Sequence, residues 1–176
     1  MSSARDASLR RGPPAYFQAC HLVKAPTSAL VVDAAILIAA ARGRSPGAIL
    51  AAAREAALVT TDRVVAEARR RIDFGLKRPE LHAIVDGLVA EMTIVPVAAL
   101  SAFLPQAEIT LSNAVASRNG SISDAHVLAL AWSVDADVWT TDRDFAGTGV
   151  PNWSTPNLIR IRALARGGPA RRQDRD

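Results

Sequence analysis

The apolar residues of this chain fall in short blocks whose period alternates between that of a strand and that of a helix. Leu30-Val31-Val32-Asp33 predicts a short buried strand. Ala34 to Ala41 predicts an alanine-rich helix, stopped by Arg42-Gly43-Arg44-Ser45-Pro46. Pro46 suits the first turn of a second helix, from Gly47 to Ala57. Leu58 to Thr61 predicts the second strand, and Asp62 caps a helix running to about Ile72. Phe74-Gly75 interrupts that pattern, and Pro79 opens a helix ending near Ala90. Met92 to Val97 predicts a third strand, then Pro105 to Arg118 a helix closed by Asn119-Gly120. Ser123 caps a helix to Trp132 or Ser133, Asp137 to Thr141 is a fourth strand, and Leu158 to Ile161 a fifth. Between the last two lies a loop, Thr148 to Asn157, rich in Gly, Pro and Asn.

Strands separated by helical stretches predict an α/β fold, a parallel sheet with helices on both faces. At 176 residues the chain is large enough for one domain with a substantial core. The boundaries predicted are an extension over 1–28, a domain over 29–162 and a basic tail over 163–176. The longest apolar stretch, Ala29 to Ala41, is broken by Asp33, so no membrane span is expected. The arginine-bearing start, with Pro13-Pro14, has no apolar core of the kind a secretory signal needs. Cys20 is the only cysteine, which excludes an internal disulfide and fits a cytoplasmic location. The net charge of +4 divides into +3 over residues 1–28, −3 over 29–159 and +4 over 160–176. A mildly acidic core thus sits between basic ends, which suit either phosphate or plain solvent.

The chemistry lies in the acidic residues. In a parallel sheet the C-terminal strand ends share one edge, and ligands bind just outside it. Asp33 and Asp142 both follow strands. The helix before strand four runs opposite to the strands, so Asp124 at its start returns to the same edge, where the helix dipole favours a carboxylate. Glu67 lies five residues into the helix after strand two, about 7.5 Å below the edge at 1.5 Å per residue. Each acid also has a plainer reading. Asp33 and Asp142 suit turns or caps, Asp124 a helix start, and Glu67 ion pairs with Arg63 and Arg71. Four acids at one edge, however, repel by about 4 kcal/mol per pair at 4 Å and an effective dielectric near 20. A fold that gathers them is expected to hold a divalent cation. All-oxygen ligation without a Cys/His cluster points to Mg²⁺ or Mn²⁺ rather than zinc.

Four segments, in this order and spacing, resemble a known family. They are Leu30-Val31-Val32-Asp33, Val64-Val65-Ala66-Glu67, Ser123-Asp124-Ala125 and Thr140-Thr141-Asp142-Arg143-Asp144-Phe145. The last is similar to the T-x-D-x-D-F element of PIN domains, the nuclease fold of many VapC-type toxins. The resemblance spans about Ala29 to Ile161. It implies a five-stranded parallel sheet of order 3-2-1-4-5 and one or two Mg²⁺ or Mn²⁺ ions. It also implies cleavage of RNA to 5′-phosphate and 3′-hydroxyl ends, homodimers, and an antitoxin partner. Asp33, Glu67, Asp124 and Asp142 become the catalytic set. Asp33, Asp124 and Asp142 are ligands, Glu67 and Asp144 act through water, and Thr140 supports the site. Arg143, between two acids, is a candidate RNA contact. The family usually has Ser, Thr or Asn two residues after the first Asp, where this chain has Ala35. The alternative is therefore a PIN-fold module that binds RNA or a partner without cutting.

Other readings find less support. Asp33-Ala34-Ala35 lacks the second acid of a dehalogenase-type phosphatase. Neither strand three nor strand five ends as a receiver domain requires, and no phosphate-binding glycine loop is present. His126 is expected to pack rather than ligate, Trp132 and Trp139 to lie in the core, and Trp153 to pack its loop. Arg69-Arg70-Arg71 reads as a solvated face, with tracking of a nucleic-acid backbone as the alternative. Thr-Thr-Asp-Arg occurs twice, at 60–63 and 140–143, so a shared strand exit could explain both.

Overall fold

The computed structural model describes residues 25–113 and 122–166. Most of the predicted extension, the end of the helix expected to reach Arg118 with its Asn119-Gly120 stop, and the last ten residues of the tail lie outside that range. Five strands form one parallel sheet of order β3-β2-β1-β4-β5: β1 Ala29–Val32, β2 Ala57–Thr61, β3 Thr93–Val95, β4 Asp137–Trp139 and β5 Asn152–Trp153. Leu30, Val31 and Val32 on β1 are all fully buried. Successive strand residues point to opposite faces, so both faces of the sheet are covered.

Seven α-helices are found among the described residues: α1 Ala34–Ala41, α2 Pro46–Ala53, α3 Asp62–Arg70, α4 His82–Val89, α5 Leu104–Ser112, α6 Ala125–Ser133 and α7 Thr155–Arg166. Helix α6 lies across β1, β2 and β4 and is backed by α5, whereas α1 packs against α2, α3 and α4. Seven consecutive residues of α6, from Ala125 to Ala131, are buried, so this helix runs through the interior rather than along the surface. No helix of the described residues is long and apolar enough to cross a membrane.

Three local expectations change. Leu158 to Ile161 is not a strand but part of α7, and β5 is the two-residue Asn152–Trp153 inside the expected loop. The run Leu-Ile-Arg-Ile fits a strand by composition. Yet Leu158 and Ile161 are buried while Ile159 and Arg160 are exposed, which is i, i+3 spacing on a helix. Thr155-Pro156 also marks a helix start. The helix is fastened by Arg162 and Arg166, which both pair with Glu55 after α2. The cap of α3 is Thr61, whose Oγ1 accepts from Val64 N at 3.1 Å, so Asp62 is the first helical residue. At α6, Ile122–Asp124 forms a single 3₁₀ turn. The Ser123 hydroxyl donates to Asp124 Oδ1 at 3.3 Å instead of capping the helix.

The entry to β1 is tied to the far side of the sheet through Asp137, which is almost fully buried. Its Oδ2 accepts from Thr27 N at 3.1 Å and from Trp153 Nε1 at 2.8 Å, and its own N–H donates to Thr27 Oγ1 at 3.0 Å. Asp137→Ala strands two half-buried donors and is expected to cost about 1–3 kcal/mol. Urea denaturation at constant m-value measures it, and a loss below about 0.5 kcal/mol would contradict this account.

Candidate metal centre

The edge beyond the C-terminal strand ends is built around β1 and β4. Their parallel register pairs Val32 with Trp139, and Asp33 N continues the ladder by donating to Trp139 O at 3.1 Å. Asp33 and Thr140 are therefore neighbours across the two strands. Thr140 Oγ1 donates to Asp33 Oδ2 at 2.7 Å and accepts from Asp142 N at 2.9 Å. Ala34 N donates to the other Asp33 oxygen at 2.6 Å, which makes Asp33 the N-cap of α1. One threonine hydroxyl thus sets the carboxylate of Asp33 and the backbone that carries Asp142.

The turn after β4 folds on itself. Asp144 N donates to Asp142 Oδ1 at 3.0 Å, and Phe145, buried to 1% exposure, anchors it below. Asp124 arrives at the start of α6, and Glu67 from the second turn of α3. Asp33, Glu67, Asp124 and Asp142 line one cavity of about 360 Å³, together with Ala34, Ala35, Ile38, Arg71 and Thr141. One carboxylate oxygen each from Asp124, Asp142 and Asp144 lie within 4.8 Å of one another. Ligands opposite one another on a cation at 2.0–2.6 Å are about 4–5 Å apart, so the trio fits one divalent ion.

All four acids expected at the edge do meet in the cavity. Asp144 joins from the turn, and Thr140 contacts Asp33 directly. Arg143 lies on the exposed side of the turn and does not line this cavity. Arg71 does line it, with Nε at 3.4 Å from Glu67 Oε1. The i, i+4 spacing of that pair marked it in the sequence, though only as a surface ion pair. Ala35 presents a methyl group to the cavity.

The electrostatics match the geometry. Burial pushes the Asp33 carboxyl above its ordinary range. The Thr140 and Ala34 hydrogen bonds oppose that rise, and the charges of Glu67 and Asp142 add to it. Burial, followed by the charges of Asp33 and Glu67, pushes Asp124 up to about 6. His126 is packed rather than ligating: its Nδ1 lies 2.9 Å from Thr61 Oγ1, and burial lowers its pKa to about 4. It is therefore neutral at pH 7.

A family model for the PIN domain matches residues 31–161. Among curated proteins none matches the chain. Among solved structures it is similar to VapBC2 from Rickettsia felis bound to a DNA fragment from their promoter. That match has TM-score 0.59 and 12% identity, over 72% of this chain and 98% of the other. It is also similar to Mycobacterium tuberculosis VapC20, a sarcin–ricin loop cleaving toxin, with TM-score 0.53 and 18% identity over 69% and 95%. For PAE2754 from Pyrobaculum aerophilum the figures are 0.54 and 15%, over 76% and 95%. At these identities the likeness is one of fold.

The raised Asp124 carboxyl gives a signed pH dependence. Its ordinary value is 3.8 and its value in the fold about 6. The folded state therefore binds this proton more tightly, and the resulting stability is complete below about pH 4 and lost as the pH rises through about 6. Without metal, the Tm of the wild type should fall relative to Asp124→Asn between about pH 4.5 and 7.5. Millimolar Mn²⁺ should restore the wild type at pH 7.5, with a smaller effect at pH 5 and in the variant. Calorimetry across pH checks this, and a gap between the two proteins that stays flat with pH would refute the raised Asp124 carboxyl.

Proposed function

The chain belongs to the PIN domain family, and from that premise we propose that it is an Mg²⁺- or Mn²⁺-dependent endoribonuclease. The observation that carries this reading is the convergence of Asp33, Glu67, Asp124 and Asp142 on one cavity where Asp124 is held near 6. Such a site gains by exchanging a proton for a divalent cation. We further assign it the toxin role of a toxin–antitoxin pair, acting in the cytoplasm and inhibited by a small partner protein. The toxin role extends to the chain what the name of VapC20 says of that protein, whereas the partner and the location rest on the family resemblance and on the lone cysteine.

In this mechanism Asp124, Asp142 and Asp144, whose oxygens already lie within 4.8 Å of one another, would hold the ion. Asp33 would join them directly or through water, and Glu67 would orient water around it. The bound ion supplies charge neutralisation at the phosphate and a nucleophile near neutral pH. Thr140 keeps Asp33 from turning away, since its hydroxyl fixes one carboxylate oxygen. Arg71, beside Glu67, offsets negative field at the rim where a phosphate approaches. Hydrolysis expels the 3′ oxygen and leaves 5′-phosphate and 3′-hydroxyl ends.

A second reading, RNA or partner binding without cleavage, is favoured by one feature. Ala35 brings no polar group to a cavity wall where the family usually has one. Cleavage decides between them. Purified protein with Mn²⁺ is expected to cut RNA from a panel of total RNA, tRNA and rRNA fragments. EDTA, Asp33→Asn and Asp142→Asn should each reduce the rate about 100-fold or more, because the metal's charge stabilisation is worth several kcal/mol. Undiminished cleavage in either folded variant removes the assignment. A folded wild type that cuts nothing favours the binding module.

A further inference from the structure

The carboxylate cavity is not closed on the side of α1. Two further hollows continue from it. The first is lined by Ala35, Ile38, Ala39, Arg42, Arg44, Arg71, Gly75 and Leu76, and the second by Ala39, Arg44, Arg160 and their neighbours on α7. Thr141 borders all three spaces, so they form one furrow that runs along α1 and reaches α7. We propose that this furrow, through Arg42, Arg44, Arg71 and Arg160, holds the phosphodiester backbone of single-stranded RNA on one side of the scissile bond. The proposal rests on the nuclease reading and specifies how its substrate is held.

Charge makes the first argument. Arg42, Arg44 and Arg160 are exposed, and none of the ion pairs among the described residues engages them. Arg162 and Arg166, farther along α7, pair with Glu55 instead. Arg42, Arg44 and Arg160, which no carboxylate among the described residues engages, line the furrow that leads from the acidic site. A polyanion meets net repulsion at the carboxylates, and cations fixed along its path supply the attraction the site itself lacks.

Local structure fixes two of these arginines. The turn after α1 is held by Gly43 N donating to Ala40 O and Arg44 N to Ala39 O, each at 2.9 Å. Gly43 takes φ +82, a conformation that L side chains rarely adopt, and so brings Arg42 and Arg44 to adjacent places at the helix end. The C-terminal dipole of α1 also favours cations there. Eight helical residues separate this turn from Asp33. At 1.5 Å per residue that is about 12 Å along α1.

The other wall decides for a single strand. Arg71, Gly75 and Leu76, which line the furrow, belong to one π-helical turn, Arg71–Leu76. With Ile38 and Ala39 this surface is apolar and suited to unstacked bases, while the arginines face the backbone. A duplex presents no base faces to such a wall.

The test separates holding from cutting. Anisotropy of a labelled eight-nucleotide single-stranded RNA is measured in EDTA at several salt concentrations, for the wild type and for Arg42→Gln/Arg44→Gln/Arg160→Gln. Each lost phosphate contact lowers the slope of log K against log salt by about 0.7, so the triple variant should lose about 2. In cleavage, the triple variant should raise KM at least tenfold with little change in kcat, and its Mn²⁺-dependent Tm rise should match the wild type. Cleavage by the wild type with an unaltered slope in the triple variant overturns the furrow and leaves the nuclease reading standing. The expected slope loss in a protein that cuts nothing supports the furrow and overturns the nuclease reading.

Discussion

One hydroxyl holds the site together. Thr140 Oγ1 donates to Asp33 and accepts from the backbone of Asp142, so the two central strands and the turn after β4 share a single polar junction. The junction depends on parallel pairing of β1 with β4, and that pairing is sealed by Val32 and Trp139, both fully buried. Burial acts against the charged form of Asp33, whereas its two hydrogen bonds act in favour of it. The fold thus spends packing on holding a carboxylate where water would hold it better.

The remaining acids are arranged on that frame and repel one another across it. Only Arg71 among nearby cations lines the cavity, and it sits at the rim against Glu67. The imbalance is visible at Asp124, whose carboxyl is raised by burial and by two negative neighbours. Such tension makes sense where a cation is to be bound, because the same groups that destabilise the empty protein become its ligands. The arginines proposed to hold RNA lie farther out, along the furrow beside α1 and on the face of α7, away from the carboxylates that would hold a metal.

The two copies of Thr-Thr-Asp-Arg separate local from nonlocal causes. In the first, Thr61 caps α3 and contacts His126, while Asp62 accepts from Arg63 N and Val97 N and stays outside the cavity. In the second, the first threonine reaches Asp33, and the aspartate faces the cavity. Identical tetrapeptides at strand exits thus differ because β2 lies between β1 and β3, while β4 lies between β1 and β5.

The sequence by itself determined the strand–helix alternation, the positions of β1, β2, β4, α1, α3 and α6, and the return of four acids to one edge. Those features follow from the length and period of apolar runs, which are local properties. It mistook Leu158 to Ile161 for a strand, because four residues of mixed character satisfy either period. The two-residue β5 exists only through pairing with Val138 and Trp139, a gain that no local window contains. It offered Arg143 for the substrate and read Arg71 as an ion-pair partner of Glu67 within a charged helix face. Only the tertiary structure decided which of these faces the cavity, which aspartate of the repeat joins it, and where unpaired arginines line up. Side-chain direction at a turn is fixed by what the turn packs against, and that partner lies far away in the chain.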